Sequence, residues 1–212
     1  MAKQIWLKFD DPDNIKKNSI ENSTWADFNT EVMGTIEPNE TFYGLPVLKM
    51  KDTDGILFKG MPGDSTSTIS FWCKIHDYSS LYYIVSTKHG LGESLFVNHS
   101  GQIINGIKGN VITEEMGWVN VVWVLDHYTN FIWVNGEYIG RLGSSYYSSR
   151  FYIGRDWVYM KSATQPMYIA NVEAYDEALF HPDTDPTINL QLPVSISNLY
   201  ANNKIVYGMK KK

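Results

Sequence analysis

The sequence has 212 residues, a formal net charge of −5 and a pI of about 5.5, and this length suits one all-β sandwich domain. Apart from Lys210, Lys211 and Lys212, the basic residues do not cluster. This argues against a nucleic-acid partner, because a nucleic-acid surface needs a basic stripe. Tyr, Phe and Trp number 14, 9 and 7, a bias that favours strands over helices.

The sequence predicts neither a membrane span nor an export signal. No stretch reaches the run of about 18 apolar residues that a spanning helix needs. The first residues, MAKQIWLKFDD, lack a basic region followed by an apolar run. We therefore expect no membrane insertion and no secretory route. The single cysteine, Cys73, lies in the alternating run TISFWCKI, which predicts a small buried hydrophobe rather than a nucleophile.

Short strand-like runs recur along the chain and are separated by turn signals such as DPDN, KDTDG and MPGD. Many short strands with regular turns predict a sandwich or a barrel. Residues 10–45 are polar and turn-rich and indicate a long excursion, and DEALF (176–180) could make one helical turn. In chain order, the predicted strands are 4–9, 46–50, 55–59, 67–75, 81–87, 93–98, 102–107, 117–126, 130–135, 137–141, 149–154 and 167–175.

Three local patterns indicate how the predicted strands pack. In 67–75, alternate residues are apolar and predict a core face made of Ile69, Phe71, Cys73 and Ile75. The strand within 117–126 is apolar on both faces except at Asn120, so we expect it to be central and covered on both sides. Asn135-Gly136 predicts a type I′ hairpin turn, because both residues tolerate positive φ angles.

Acidic residues in two turns have two interpretations. Asp10 and Asp13, in DDPDN, and Asp52 and Asp54, before a glycine, could ligate calcium, which prefers several oxygen ligands. Asp, Asn and Gly are also the ordinary residues of turns. Calcium is the only cofactor that the sequence suggests. The histidines lie apart from one another, without the spacing of a metal site.

Aromatic residues outside the core pattern flank the strand 149–154. They could offer flat apolar faces to sugar rings, with neighbouring polar side chains bonding hydroxyl groups, or they could pack over the end of the sandwich. The tentative carbohydrate-binding residues are Tyr146, Tyr147, Trp157 and Tyr159, with Arg155 and Asp156 as the polar pair.

The ordered series TISFWCKI, GWVNVVWVLD, FIWVNGEYIG, FYIG and YIANVEAYDEAL resembles the laminin-G-like, concanavalin A-like jelly-roll domains. The resemblance implies an all-β, two-sheet antiparallel jelly-roll sandwich over residues 1–180, with 181–212 as a C-terminal extension that could attach the domain to a partner. The chain departs from the usual pattern at three positions. Asn120 stands where His is usual, and Ala170 and Asn171 stand where Asp-Glu is usual.

Members of this architecture include lectins, adhesive modules, glucanases and viral surface proteins, and the residues must separate these functions. The glucanase branch needs two carboxylates facing one cleft, about 5–5.5 Å apart for a retaining enzyme. No such motif occurs; Glu173, Asp176 and Glu177 come nearest, and a strand would place Glu173 and Asp176 on opposite faces. The sequence therefore predicts a protein without catalytic activity.

Three functional hypotheses follow. The first is a phage virion surface protein, either a capsid decoration or a tail-associated adhesin, made in the host cytoplasm and released by lysis. Its partners would be other virion proteins, identical subunits or a host-surface glycan. The second is a carbohydrate-binding module, which calcium could assist. The third is a glycan hydrolase with unfamiliar catalytic residues.

Overall fold

The described part of the chain forms fourteen β-strands in two antiparallel sheets. The computed structural model describes residues 3–25, 29–59, 66–75, 82–87, 94–97, 103–104, 112, 117–127, 129–144, 150–155 and 166–189. The strands are β1 (Lys3–Leu7), β2 (Asn29–Met33), β3 (Thr35–Phe42), β4 (Leu45–Met50), β5 (Gly55–Lys59), β6 (Ser67–Ile75), β7 (Tyr82–Thr87), β8 (Ser94–Val97), β9 (Ile103–Ile104), β10 (Val119–Asp126), β11 (Thr129–Val134), β12 (Glu137–Ser144), β13 (Arg150–Ile153) and β14 (Met167–Tyr175).

The two sheets pack face to face as a jelly-roll sandwich, which confirms the predicted fold class. The large sheet has the order β12-β11-β10-β6-β14-β4-β3, with β1 also paired to β14. The small sheet has the order β2-β5-β13-β7-β8-β9. Apolar residues from both sheets form the main core, among them Phe71 and Trp123 of the large sheet and Phe58, Phe151 and Ile153 of the small sheet.

Strand β14 holds the large sheet together because it pairs with three strands. It runs beside β6 along one edge, while its other edge meets β4 over Met167–Ile169 and β1 from Val172 to Tyr175. The register with β6 shifts between Ala170 and Glu173, where Asn171 adopts a φ of 49°. An extra residue of this kind is a β-bulge, and Asn tolerates the left-handed conformation there.

The outer face of the large sheet, which is turned away from the small sheet, carries two further apolar clusters. One contains Val122, Val124, Phe131 and Trp133 and is covered by the closing segment, residues 176–189, through Phe180 and Ile188. The Trp133 indole donates to the carbonyl of Asp185 (2.8 Å), and the backbone NH of Ile188 donates to Gly136 (2.8 Å). Residues 181–189 therefore pack on the sandwich, while the division into 1–180 and 181–212 stays a prediction.

The local predictions about strand packing are confirmed. Val119, Val121 and Trp123 of β10 point into the main core, and Val122 and Val124 of the same strand are buried in the outer cluster. This strand is central and covered on both sides, as its sequence indicates. The turn between β11 and β12 has φ angles of 49° at Asn135 and 81° at Gly136, the positive pair that a type I′ turn requires.

Two sequence expectations differ from the structure. The polar stretch 10–45 contains β2 and β3, both of which lie at sheet edges, where one long side faces solvent and polar residues suffice. The segment DEALF (176–180) is not helical; it runs as bends and irregular chain over the outer face.

Among the described residues there is no helix that could span a membrane.

Gly34 lets the chain pass from β2 in the small sheet to β3 in the large sheet. Its φ is +146°, and a Cβ added there would lie 2.7 Å from the carbonyl oxygen of Lys49. We expect Gly34→Ala to lower the free energy of unfolding by about 2–4 kcal/mol, because it adds backbone strain and a steric clash with main chain.

Gly44→Ala is the matched control, since Gly44 also has a positive φ, +82°, but no atom within 4 Å of the added Cβ. Strain alone predicts a loss of about 1 kcal/mol for this variant. Urea denaturation of both variants measures the difference. Equal losses would mean that the crossing at Gly34 is less crowded than its geometry indicates.

Candidate functional site

The second apolar cluster on the outer face of the large sheet consists mainly of aromatic rings. We call it the aromatic patch; its rings are Phe42, Tyr43, Trp72, Trp118 and Tyr168. Phe42 lies at its centre with no exposed surface, and its ring centroid is 4.9 Å from those of Trp72 and Trp118 and 4.8 Å from that of Tyr43. Tyr43, Trp118 and Tyr168 are partly exposed at the rim of this cluster. A group of partly exposed aromatic rings, fixed by packing against a sheet, is typical of an interaction site.

The register of the large sheet brings these residues together from distant parts of the sequence. Trp72 on β6 lies opposite Asn120 on β10 and opposite Ala170 on β14. Ala170 has no exposed surface and belongs to the same cluster. Because its side chain is small, Ala170 leaves space on the outer face of β14. The aromatic rings of the same cluster can therefore pack over the sheet at this position.

Tyr43 stands in an unusual backbone conformation. It forms a two-residue hairpin turn with Gly44 between β3 and β4, and their φ angles are 50° and 82°. A bulky residue at positive φ costs about 1–2 kcal/mol, and type I′ turns ordinarily use Asn, Asp or Gly at this position. Strain of this kind is found where a side chain has to be presented at a defined place. The turn places the Tyr43 ring edge-on against Phe42, at 87°.

Two ion pairs border the aromatic patch. Lys74 donates to both carboxylate oxygens of Glu40 (3.0 and 3.1 Å), and its ammonium lies 6.0 Å from the centroid of the Trp118 ring. Lys49 donates to Glu37 (3.0 Å), a hydrogen bond that lowers the pKa of Glu37 and raises the pKa of Lys49. Both pairs are only partly exposed, so the patch has charged donors and acceptors beside its apolar rings.

Beside the aromatic patch, a group of polar side chains bind one another. Glu173 accepts hydrogen bonds from Tyr175 (2.5 Å) and from Asn171 (3.3 Å), and Lys3 lies 2.9 Å away. Burial, and then the Glu173 charge, raise the pKa of the Tyr175 phenol, which keeps it a donor. The Trp6 indole donates to Asn171 (2.7 Å). These groups satisfy one another, which favours a role in joining β1 to β14.

Of the six carbohydrate-binding residues predicted from the sequence, the structure describes one, Arg155, and it lies outside the aromatic patch. Arg155 follows β13 in the small sheet, where its carbonyl accepts from Ser86 (2.7 Å) and its guanidinium lies 3.6 Å from the Met33 sulfur. The other five, Tyr146, Tyr147, Asp156, Trp157 and Tyr159, lie outside the described residues. That group therefore stays a prediction.

The four predicted calcium ligands lie in two different loops, where neighbouring groups have turn roles. Asp10 and Asp13 follow β1, where Asp11 accepts from the backbone NH of Asp13 (3.2 Å). Asp52 has a φ of 56° in the turn after β4, and Asp54 accepts there from the backbone NH of Lys51 (3.1 Å). Among the described residues, no group of three or more acidic, His or Cys side chains could hold a metal ion. Calcium binding stays a prediction.

Comparison with solved structures supports the fold. The receptor-binding domain of botulinum neurotoxin D matches with a TM-score of 0.55 and 14% identity, over 87% of this chain and 51% of that chain. The binding domain of botulinum neurotoxin serotype D/C matches at 0.50 and 16%, over 87% and 50%. Trypanosoma rangeli sialidase matches at 0.52 and 15%, over 76% and 29%. No protein-family model and no curated protein matches the sequence.

These similarities concern architecture. At such low identity they support an all-β jelly-roll sandwich and say nothing about the ligand. The chain spans about half the length of the toxin domains and less than a third of the sialidase.

The strained turn at Tyr43 can be tested by comparing two substitutions that remove the same ring. Tyr43→Asn and Tyr43→Ala both lose the contact with Phe42, but Asn adopts positive φ more readily. We expect the Asn variant to have the higher free energy of unfolding, by about 0.5–1 kcal/mol. Chemical denaturation measures the difference, and equal stability would contradict a left-handed Tyr43.

Cys73 faces the main core and has no exposed surface. Burial raises the pKa of its thiol to about 12, because the interior disfavours the thiolate. The resulting contribution to stability is complete below the unfolded thiol pKa of about 8.5 and is lost as the pH rises toward 12.

At pH 8 we expect iodoacetamide to alkylate native Cys73 on the order of a thousandfold more slowly than the denatured chain, since the thiolate is the reactive form. Mass spectrometry follows the reaction with and without urea. Similar rates in the two states would show that the thiol is accessible in the folded protein.

Proposed function

We propose that this chain is a carbohydrate-binding β-sandwich module and that its aromatic patch binds the glycan. The observation that carries the proposal is the arrangement of three partly exposed rings over the fully buried Phe42. Tyr43 comes from the turn between β3 and β4, Trp118 directly precedes β10, and Tyr168 lies on β14. Ligand sites are built in this way, mostly from apolar and aromatic surface with a few polar groups that fix orientation.

The chemistry of a sugar suits this surface. One face of a pyranose ring presents C–H groups, which can lie on an indole or phenol ring, while the hydroxyl groups around the edge need polar partners. The Trp and Tyr side chains have apolar bodies and polar tips. Glu40 and Lys74 lie beside Trp118, and Glu37 and Lys49 lie beside Tyr168. Together these residues supply an apolar platform with donors and acceptors at its border.

The structural neighbours support a binding role at the level of fold. One is named a receptor-binding domain, and another is named a sialidase. The proposal extends the first of these roles to this chain. The absence of catalytic activity stays a prediction from the sequence.

The finer form of the proposal places the module on a virion, as a capsid decoration or a tail-associated adhesin that meets a host-surface glycan. This placement comes from the sequence hypothesis described above and remains a prediction. The glycan-binding proposal does not depend on it, because the aromatic patch would bind the same sugar on any carrier.

A glycan array probed with the fluorescently labelled chain tests the proposal, and titration calorimetry then measures each hit. We expect Trp118→Ala and Tyr43→Asn each to weaken binding about tenfold, equivalent to about 1.4 kcal/mol, because each removes a stacking face. Tyr138→Ala is the matched control, since Tyr138 is also partly buried on the outer face but packs in the cluster beneath the closing segment.

Several outcomes would contradict this assignment. Binding to no glycan would remove the proposed function. Binding that survives both patch substitutions but is lost in Trp157→Ala would move the site to the segment predicted from the sequence. Repeating the array with a calcium chelator tests the predicted calcium ligands separately, since the aromatic patch itself needs no metal.

A further inference from the structure

A pocket of about 400 Å³ opens beside β1, away from the aromatic patch. Its floor includes Ile5, Leu7 and Trp25, all of which also belong to the main core. Its wall is made by the loop 10–25 and by Thr30 of the edge strand β2. The volume falls in the range of about 300–1,000 Å³ that is typical of small-molecule sites.

The loop that walls this pocket is fixed by side-chain hydrogen bonds. Asn18 accepts from the backbone NH groups of Trp6 (2.9 Å) and Ile20 (3.1 Å), and it donates to the carbonyl of Gln4 (2.9 Å). The Gln4 side chain in turn accepts from Ser23 (3.1 Å) and from Thr24 (2.9 Å). These hydrogen bonds hold the loop in place without a ligand. Ligand binding would therefore cost little conformational entropy in this loop.

The polar border of the pocket carries positive charge. Lys16 and Lys17 line it, and no acidic side chain is among the described residues that do so. Lys17 is 3.2 Å from Asp11, which offsets part of its charge. Lys16 is exposed and forms no ion pair with another described residue. The electrostatic preference of the pocket is therefore for an anion.

We propose that this pocket is a second ligand site, for a small ring-shaped organic anion. The apolar face of the ring would lie against Ile20 and the accessible edge of Trp25. The anionic group would meet the ammonium of Lys16, with Thr30 as a hydroxyl partner. The shared chemistry is a carboxylate on a six-membered ring, which either an acidic sugar or a cyclic carboxylic acid supplies. This inference does not rest on glycan binding at the aromatic patch.

Ligand-observed NMR and calorimetry on the full chain test the pocket with two matched pairs of probes. Glucuronate against glucose represents the acidic sugar, and benzoate against benzyl alcohol represents the cyclic acid. We expect the anion of at least one pair to bind more tightly than its neutral partner. Lys16→Gln should weaken binding of that anion up to about fivefold, the effect of one exposed charge, and Lys16→Glu should weaken binding further.

Three more variants separate this site from other causes of binding. Thr30→Phe should block both members of a pair by filling the pocket while keeping a residue that strands accept. Lys51→Gln removes an exposed charge in the turn after β4 and should change nothing, and Trp118→Ala should also leave pocket binding unchanged.

The proposal is overturned if no probe binds saturably at millimolar concentration, or if anion and neutral partner bind equally. It is also overturned if Thr30→Phe, folded by circular dichroism, binds as the parent chain does. Anion binding that responds to Lys51→Gln as strongly as to Lys16→Gln would indicate nonspecific attraction. Loss of binding in Trp118→Ala would instead assign the anion to the aromatic patch.

Discussion

The need to cover both faces of the large sheet governs most of this structure. The small sheet covers only the inner face, yet the central strands β6 and β10 bury side chains on the outer face as well, including Trp72, Val122 and Val124. Apolar surface left in water costs about 25 cal/mol for each Å², so the chain must supply a second cover from its own residues. This requirement accounts for the aromatic residues on the outer face of the large sheet, such as Trp72, Trp118 and Trp133.

The two halves of the outer face meet this requirement in different ways. Over β10 and β11, the closing segment lies across the cluster and is joined to it by backbone and indole hydrogen bonds. Over β6, β14 and β4, the rings cover one another, with Phe42 enclosed by Tyr43, Trp72 and Trp118. The closing segment therefore buries the cluster over β10 and β11 as part of the protein interior. The cluster over β6, β14 and β4 keeps partly exposed rings at its surface. A ligand can add to the second half without displacing any described segment of the chain.

The features that the sequence predicts well are local ones. Alternation along β6, apolar character on both faces of β10 and the Asn135-Gly136 turn each depend on neighbouring residues, and each is confirmed. The edge strands β2 and β3 could not be recognised, because an edge needs little apolar alternation and β3 even contains the exposed Pro38. The Tyr43-Gly44 turn was missed because Tyr is not a residue that turns favour.

The aromatic patch could not be predicted for a different reason. Its rings come from the turn after β3, from β6, from the residue before β10 and from β14, and only the strand register brings them together. Sequence reasoning located clusters of aromatics in 144–160 because those residues are adjacent along the chain. The sequence did contain one indication of this patch. The alternation along β6 assigns Trp72 to the face opposite Cys73, but it does not show which residues pack against that tryptophan.

The three departures from the resembled pattern acquire a physical meaning on this face. Ala170 leaves space above β14 beside Trp72, and Asn171 forms the bulge and accepts from the Trp6 indole. Asn120 is 3% exposed, and its amide donates to Ser70 and to the carbonyl of Phe71 while its backbone pairs with Asn135. A histidine, or a pair of carboxylates, would need other partners in the same positions. The three residues therefore suit an outer face that is organised around packed rings, with its charged side chains at the border.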